Sequence, residues 1–419
     1  MDYFHIITIL IVISAVFGYI NVRFLKLPNT IGLMLITIVF TFAVFVLNYF
    51  GAPELLTAEK YIISHIDFKE VLLDIMLSFM LFAGALHTNF EQLRVQRWPV
   101  LVFATLGVLV STFLVGYGVY FILPLFGLNV KFIYCLLFGA LISPTDPIAV
   151  LGILKNVGAP KQLEAKIVGE SLFNDGVGAV VFLTIFKIAQ IGHGEIEVSE
   201  IFELFAVEVI GGITLGLVIG WMTYRLMKSI DDYDIEVIIT LAAVMGGTVI
   251  AQKYHLSAPL AMVTAGLLIG NDTIRNTAMS HVTESYVDKF WELLDILLNT
   301  ILFVLIGMEI LVLTFEANYI TAGLVAIPLV LLCRYLSLLI PVKFFEKRLD
   351  FAPKTNLIMT WGGLRGGISI ALALGLTLKM ERDLFLVMTY FIVVFSILVQ
   401  GLSLGKLVKR FSLTKGEEL

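Results

Sequence analysis

Long apolar runs separated by short polar breaks repeat along the whole chain. A bilayer core about 30 Å thick is crossed by a helix of roughly 20 apolar residues, whereas the strands of a membrane barrel alternate apolar and polar positions. The runs here are of the first kind. They predict an all-α polytopic membrane protein of about thirteen transmembrane helices, with cores at 4–22, 30–50, 71–89, 99–124, 132–154, 167–190, 201–227, 234–252, 257–270, 290–314, 319–342, 356–378 and 384–405.

The composition agrees with a chain whose main solvent is lipid. Of its 419 residues, 59% are hydrophobic and 15% are charged, and the mean hydropathy is +0.98. Soluble domains are only about half apolar. The net charge of −5 is spread over short loops and gives no indication of a nucleic-acid partner. Cys135 and Cys333 each lie inside an apolar run, so no disulfide, thiolate metal site or cofactor is indicated.

The basic residues predict the orientation of the chain in the membrane. The first apolar run follows Asp2 and lacks a basic flank, so it is interpreted as a permanent helix rather than a signal peptide. With the N-terminus outside, nineteen of the 28 Lys and Arg residues fall in cytoplasmic loops and seven fall outside. This predicts a multi-pass protein of the cytoplasmic membrane with a cytoplasmic C-terminus. The two remaining basic residues, Arg334 and Arg365, lie within helices eleven and twelve and need an internal partner or a wet cavity.

Helix five, near 132–154, is predicted to be interrupted. Its middle reads Ser143-Pro144-Thr145-Asp146-Pro147. Each proline lacks an N–H and clashes with the carbonyl four residues earlier. The carbonyls of Ala140 and Ser143 are therefore freed from the helix inside the membrane.

Helix twelve, near 356–378, carries a second interruption. Its middle reads Gly362-Gly363-Leu364-Arg365-Gly366-Gly367. Helices five and twelve are seven apart in the chain, and this odd offset means that they cross the membrane in opposite directions. Interrupted helices at corresponding places in two inverted repeats are typical of secondary transporters, with the binding site at their crossing point.

Helix six presents a stripe of oxygen-bearing side chains. Residues four apart share a helix face, so Glu170 stacks under Asn174 and Ser171 under Asp175. Together with carbonyls freed in helix five, such a stripe suits a hard monovalent cation. Asp175 lies within a turn or two of the predicted midplane. A carboxylate removed from water holds its proton more tightly, so such a group can exchange a proton for a cation near neutral pH.

Other residues near the crossing have two interpretations. Asp146 either serves the ion, directly or through water, or caps the half-helix that follows it. Ser171 and Thr145 are either ion ligands or ordinary packing hydroxyls. Glu170 and Arg365 are predicted to form a structural ion pair between helices six and twelve.

The remaining charges within the membrane helices receive structural or open interpretations. Arg334 is expected to meet an acidic residue or a helix end rather than to act in transport. Asp74 lies near the outer end of helix three, where it reaches water. Glu309 is expected to be structural, with a place on a cavity wall as the alternative. The other acids within predicted membrane helices are Glu203, Glu208 and Asp295.

The three motifs, in this order and topology, resemble those of the NhaP-type sodium/proton antiporters, prokaryotic relatives of the eukaryotic sodium/hydrogen exchangers. They are the broken-helix motif at 143–150, the Asn-Asp motif at 170–176 and the glycine-arginine motif at 362–367. The resemblance implies an NhaA-like antiporter domain over 1–410, followed by a short cytoplasmic tail at 411–419. It also implies a homodimer with a dimerisation layer beside a mobile six-helix core.

The resemblance also implies roles for single residues. Asp175 binds Na⁺ and the proton alternately, with Ser171 and the main chain of Thr145 as further Na⁺ ligands. Asp146 holds the site or its water, and Asn174 belongs to the same binding centre without titrating. One departure concerns helix three, where relatives often have an acidic residue and this chain has Ala83. Water or another side chain is then expected to replace that ligand.

The sequence therefore predicts a transporter rather than an enzyme. Its substrates are expected to be sodium or lithium ions and protons, exchanged one for one and electroneutrally by alternating access. A potassium/proton antiporter or another solute carrier of the same fold is the main alternative, and a passive channel is a further one. A remote alternative is an intramembrane aspartyl protease that uses Asp146 and Asp175 as a dyad.

Overall fold

The structure is a computed structural model, and every element that it describes is helical. It describes residues 3–50, 75–88, 90–159, 161–191, 198–310, 313, 316–346, 351 and 354–412. Asp74, and most of the tail predicted at 411–419, lie outside these residues. Within them, we label the main helices α1 Tyr3–Ile20, α2 Asn29–Tyr49, α3 Leu77–Leu86, α4 Arg97–Phe126, α5a Phe132–Ile142, α5b Pro147–Val157, α6 Lys161–Ile191, α7 Val198–Met227, α8 Tyr233–Lys253, α9 Ala258–Ile269, α10 His281–Glu309, α11 Ala317–Glu346, α12a Thr355–Gly362, α12b Gly367–Leu374 and α13 Arg382–Phe411.

The helical elements follow the predicted apolar runs, but their number as full membrane spans is smaller. Among the described residues, nine helices are long and apolar enough to cross a membrane, and the bent pair α12a and α12b makes ten. Helices α3, α5a and α9 are apolar but shorter. The structure confirms an all-helical protein with many spans, and the predicted number of thirteen stays a prediction.

Polar residues at the starts of several helices explain where these begin. The Asp232 side chain accepts a hydrogen bond from the N–H of Ile235 at the start of α8, at 3.2 Å. Ser257 does the same for the N–H of Leu260 at the start of α9, at 3.3 Å. The first N–H groups of a helix have no partner within it, so these side chains satisfy donors that would otherwise be unpaired.

Helix α5a is held in the interior by close packing against α4. It carries eight buried residues among its eleven, and it also contacts α6 and α12b. A glycine allows the approach to α4, because a Cβ atom at Gly139 would lie 2.2 Å from the carbonyl oxygen of Thr112. Small residues at helix contacts let backbones approach closely inside membranes. This packing places the end of α5a, and so the first interruption, in the middle of the protein.

The two interrupted helices meet at their breaks. In the first, residues 143–146 separate α5a from α5b. In the second, residues 363–366 separate α12a from α12b, whose axes differ by 52°. The structure therefore confirms both interruptions at the predicted motifs.

Replacing Gly139 by Ala is expected to lower thermal stability, because its methyl group would overlap the Thr112 carbonyl and push α4 from α5a. Overpacking of this kind costs roughly 1–3 kcal/mol. Gly152→Ala, on α5b, is the matched control, because a Cβ atom there meets no atom within 4 Å. Thermal unfolding of the detergent-solubilised protein measures both. Equal melting temperatures for the two variants would contradict the packing argument.

Candidate functional site

The two breaks contact each other through their backbones. The N–H of Asp146, in the first break, donates to the carbonyl of Leu364, in the second, at 2.7 Å. Gly366 allows this approach, because a Cβ atom there would lie 2.7 Å from Oδ2 of Asp146. Any larger residue at this position would displace the aspartate or the second break.

Charged side chains lie at the half-helix ends that the breaks create. The carbonyl end of a helix carries partial negative charge and the N–H end partial positive charge. Arg365 lies at the carbonyl end of α5a, where its Nη1 donates to the carbonyl of Ser143 and, at 2.8 Å, to that of Pro144. Asp146 immediately precedes α5b and contacts Gly366, which immediately precedes α12b. Each charge therefore has the sign that stabilises the helix ends beside it.

Two side chains of α13 form hydrogen bonds with backbone groups in the second break and just before it. The hydroxyl of Ser396 accepts from the N–H of Arg365 at 2.8 Å, and the Gln400 amide donates to the carbonyl of Trp361 at 2.9 Å. Both side chains lie on a π-helical segment, Ser396–Gly401. Such segments interrupt the regular helix register and are frequent at functional sites.

Helix α6 fixes the first break through Thr145. The side-chain oxygen of Asn174 accepts from the Thr145 N–H at 3.1 Å, and the Asn174 amide donates to Thr145 Oγ1 at 2.8 Å. The hydroxyls of Thr145 and Ser171 are also 2.8 Å apart. All three side chains are buried. An asparagine that both accepts and donates, one turn from a serine, determines the position of the unwound segment.

Asp175 faces a small internal cavity. It is 2% exposed, and within the described part of the chain its Oδ1 has no hydrogen-bond partner. The cavity of about 40 Å³ lies between α3, α6, α10 and both breaks. It could hold a few water molecules or one small cation. The polar side chains on its wall are those of Thr145, Asp146, Asp175 and Ser369.

The structure divides the predicted site residues into two groups. Asp175, Asp146 and Thr145 line the cavity together, as the topology predicts. Ser171 and Asn174 lie beside them, but their side chains bond Thr145 and do not form part of the described cavity wall.

The predicted ion pair between Glu170 and Arg365 is wrong, because Glu170 has a different partner. Glu170 pairs with Arg334 of α11, whose Nη2 lies 2.6 Å from Oε1 of Glu170, and both side chains are 2% exposed. Arg365 remains within electrostatic reach of Glu170. Its guanidinium instead donates to the carbonyl of Ser143, which was predicted to be free, and to that of Pro144. The carbonyl of Ala140, also predicted to be free, accepts from the N–H of Ser143 at 3.4 Å.

The structure confirms one prediction about this centre and adds one residue that sequence reasoning missed. Arg334 was expected to meet an acid or a helix end, and the structure identifies that acid as Glu170. Ser369 was not singled out. Its position two residues after the glycine-arginine motif, in the first turn of α12b, was the available signal.

The remaining acids within membrane helices are only partly described. Glu208 pairs with Lys187 at 2.6 Å. Asp295 of α10 accepts from the Asn299 amide at 3.0 Å and lies within electrostatic reach of Asp146. The side chains of Glu203 and Glu309 lie outside the described residues, so the predictions for them are untested.

Helix α3 contributes an apolar wall to the cavity. Its lining residues are Leu77, Met80, Leu81 and Gly84. Ala83 is buried beside Phe82 in a separate apolar cluster and is not part of the described lining. Helix α3 therefore supplies no charge to the cavity.

Comparison with known proteins gives one family. The model of the family described as "Sodium/hydrogen exchanger, transmembrane" matches residues 11–410. The chain is 50% identical over 404 residues to the Na⁺/H⁺ antiporter NhaP of Pseudomonas aeruginosa, covering 96% of this chain and 95% of that protein. It is 33% identical over 400 residues to the Na⁺/H⁺ antiporter NhaH of Halobacillus dabanensis, covering 93% and 94%.

A solved structure shares the fold. The sodium proton antiporter MjNhaP1 from Methanocaldococcus jannaschii, determined at pH 8, superposes with a TM-score of 0.75 and covers 98% of this chain and 99% of its own. The sequence identity is 18%, so this likeness concerns the fold alone.

Removing one partner of the buried pair is expected to destabilise the protein strongly. Arg334→Ala leaves Glu170 charged and unpaired, at a cost of roughly 3–5 kcal/mol. The double variant Arg334→Ala/Glu170→Ala should recover part of that loss, because no charge is stranded. Thermal unfolding in detergent measures both.

The control for this pair is Arg382→Ala. It removes the exposed ion pair with Asp383, whose side chains are 41% and 44% exposed, and should change stability by less than about 1 kcal/mol. If Arg334→Ala unfolds at the same temperature as the control, the Arg334–Glu170 pair does not stabilise the protein as predicted.

Proposed function

Because the chain belongs to the transmembrane sodium/hydrogen exchanger family, we propose that it exchanges sodium ions for protons across the membrane, at the cavity where the broken helices cross. It is a transporter rather than an enzyme, and both relatives described above are named as Na⁺/H⁺ antiporters. The proposed location of the transport site rests on Asp175, a buried carboxylate with an unpaired oxygen on the cavity wall. These relatives do not favour a potassium carrier, a channel or a protease.

Asp175 is the group at which cation and proton compete. A buried carboxylate is costly when charged and unpaired, so it is stabilised by binding either a proton or a cation. Because one carboxylate serves both ions, loading of one requires release of the other. Apparent sodium affinity therefore falls as the pH drops and protons occupy the site.

The other predicted residues complete the binding centre. Asp146 lines the cavity and offers a second carboxylate, directly or through water, and the main chain of Thr145 offers a further oxygen. Ser171 and Asn174 act by holding Thr145, as their hydrogen bonds indicate. The cation is sodium or lithium, since hard oxygen ligands suit both.

We place the protein in the cytoplasmic membrane with its N-terminus outside and its C-terminus in the cytoplasm. The excess of Lys and Arg in the predicted cytoplasmic loops supports this orientation. We further propose a homodimer, in which a dimerisation layer holds a mobile six-helix core that contains both broken helices. Movement of the core exposes the cavity alternately to the two sides.

Replacing Asp175 by Asn is expected to abolish sodium-driven proton movement without unfolding the protein, because the amide is isosteric but cannot release a proton. The measurement is internal pH in vesicles containing the purified variant, after addition of sodium outside. Asp383→Asn, at an exposed aspartate, should retain activity. Substantial exchange by Asp175→Asn would show that another group carries the proton.

Exchange is expected to be electroneutral, with one proton for each sodium ion. Asn174 does not titrate and Glu170 is held by Arg334. Asp146, directly before α5b, keeps its negative charge throughout the cycle in this proposal, which leaves Asp175 as the group that exchanges its proton for the cation. The turnover rate should then not respond to membrane potential, which would otherwise contribute about 2.3 kcal/mol per charge at 100 mV.

Vesicles in which valinomycin and potassium set the voltage test this stoichiometry. A rate independent of voltage, with no steady sodium-driven current, is the expected result. A steady current, or a rate that rises with the imposed potential, would mean that a second charge moves in each cycle. Asp146 would then be the group to replace next.

A further inference from the structure

Ser369 presents a buried hydroxyl with no hydrogen-bond partner to the same cavity as Asp175. The side chain is 1% exposed, and its Oγ makes no hydrogen bond within the described part of the chain. It lies in the first turn of α12b, and this turn together with the preceding Gly366 forms one wall of the cavity. Two unpaired oxygens, one from α6 and one from α12b, therefore line one small space.

Among the described residues, the hydroxyls of Ser14 and Ser78 also lack a hydrogen-bond partner, but several other buried hydroxyls are satisfied within their own helix. Thr37 donates to the carbonyl of Leu33, and Thr389 to that of Phe385, each four residues earlier. This is the usual arrangement for serine and threonine in apolar helices. For Ser369 the residue four earlier is Arg365, which lies in the break, before α12b begins. The usual acceptor is therefore not provided by the helix.

A buried hydroxyl without a partner costs free energy that an alanine at the same place would avoid. Ser14 and Ser78 bear the same cost, but of these three serines only Ser369 is part of the described cavity lining beside Asp175, where a bound ion would supply the missing partner. The cavity receives no charged group from α3, where the lining residues are apolar. Ser369 is placed to provide a neutral oxygen from a different helix, α12b.

We propose that Oγ of Ser369 is a further ligand of the transported cation, shared with Asp175. This inference rests on the proposed function and names one more group of that site. A neutral hydroxyl adds an oxygen without adding charge, so it leaves the exchange ratio unchanged. An ion held by both residues joins α6 to α12b, which links occupancy of the cavity to the position of the second broken helix.

The experiment compares wild type with Ser369→Ala and Ser369→Cys. Cysteine nearly preserves the volume but replaces the oxygen by sulfur, which is a poor ligand for a hard cation. Ser78→Ala is the control, because Ser78 is also buried and lies beside the cavity-lining Leu77 but does not itself line the cavity. Two quantities are measured for each protein: the sodium concentration for half-maximal exchange in vesicles, and the rise in melting temperature on adding sodium in detergent.

Both Ser369 variants should need about tenfold more sodium for half-maximal exchange, with the one-to-one ratio retained. They should also need correspondingly more sodium to raise the melting temperature, because a ligand stabilises a protein according to its affinity. Ser78→Ala should match wild type in both measurements. If Ser369→Ala does not fold, Ser369→Cys decides the question alone.

Unchanged sodium dependence in the Ser369 variants, in vesicles and in detergent, would overturn the proposal. Equal weakening in Ser78→Ala would also overturn it, because the effect would then not belong to the cavity. Failure of the proposed function looks different, since wild type itself would then show no sodium-driven proton movement. Sodium-dependent stabilisation in detergent would still report on Ser369 in that case, and its loss in the variants would support the ligand role.

Discussion

The constraint on which this structure depends is that peptide groups inside a membrane need hydrogen-bond partners. Two helices unwind at the same depth, and each exposes carbonyls and N–H groups where no bulk water can reach them. The solution is mutual: Arg365 of the second break bonds carbonyls of the first, and the Asp146 N–H of the first bonds the Leu364 carbonyl of the second. The small cavity exists because the two breaks satisfy each other at this point.

The charges around the breaks then determine what the cavity can hold. Three carboxylates, of Glu170, Asp146 and Asp175, lie near two guanidinium groups, of Arg334 and Arg365. Among these five residues the arginines compensate two negative charges, and one remains. Asp295, which lies within electrostatic reach of Asp146, does not form part of the described cavity wall. That remainder matches a single monovalent cation or a single proton. The same five residues therefore account for both the stability of the unwound segments and the charge of the ion that suits the site.

Much of this centre could be predicted from the sequence, because its signals are local. Prolines around Asp146 and glycines around Arg365 locate the breaks, and the four-residue spacing on helix six places Asp175 near them. Contacts between side chains on different helices could not be predicted in this way. Nothing in the sequence states that the Arg334 side chain of α11 reaches Glu170 of α6, so the sequence pointed to Arg365 as the partner of Glu170 instead. The use of Ser369 depends on where α12b begins relative to the cavity, which only the three-dimensional arrangement determines.

The backbone hydrogen bond between Asp146 and Leu364 has a mechanical consequence. Together with the bonds from Arg365 to two carbonyls, it ties the broken helices so that separating them would leave several polar groups unpaired in lipid at once. Displacement of either helix must therefore carry the other. The opposite wall, formed by Leu77, Met80 and Leu81 of α3, is apolar and is packed by dispersion contacts alone. The contacts of the crossing with α3 are thus apolar, whereas its hydrogen bonds to α6 through Thr145 and to α13 through Arg365 survive a displacement only if those helices move with it.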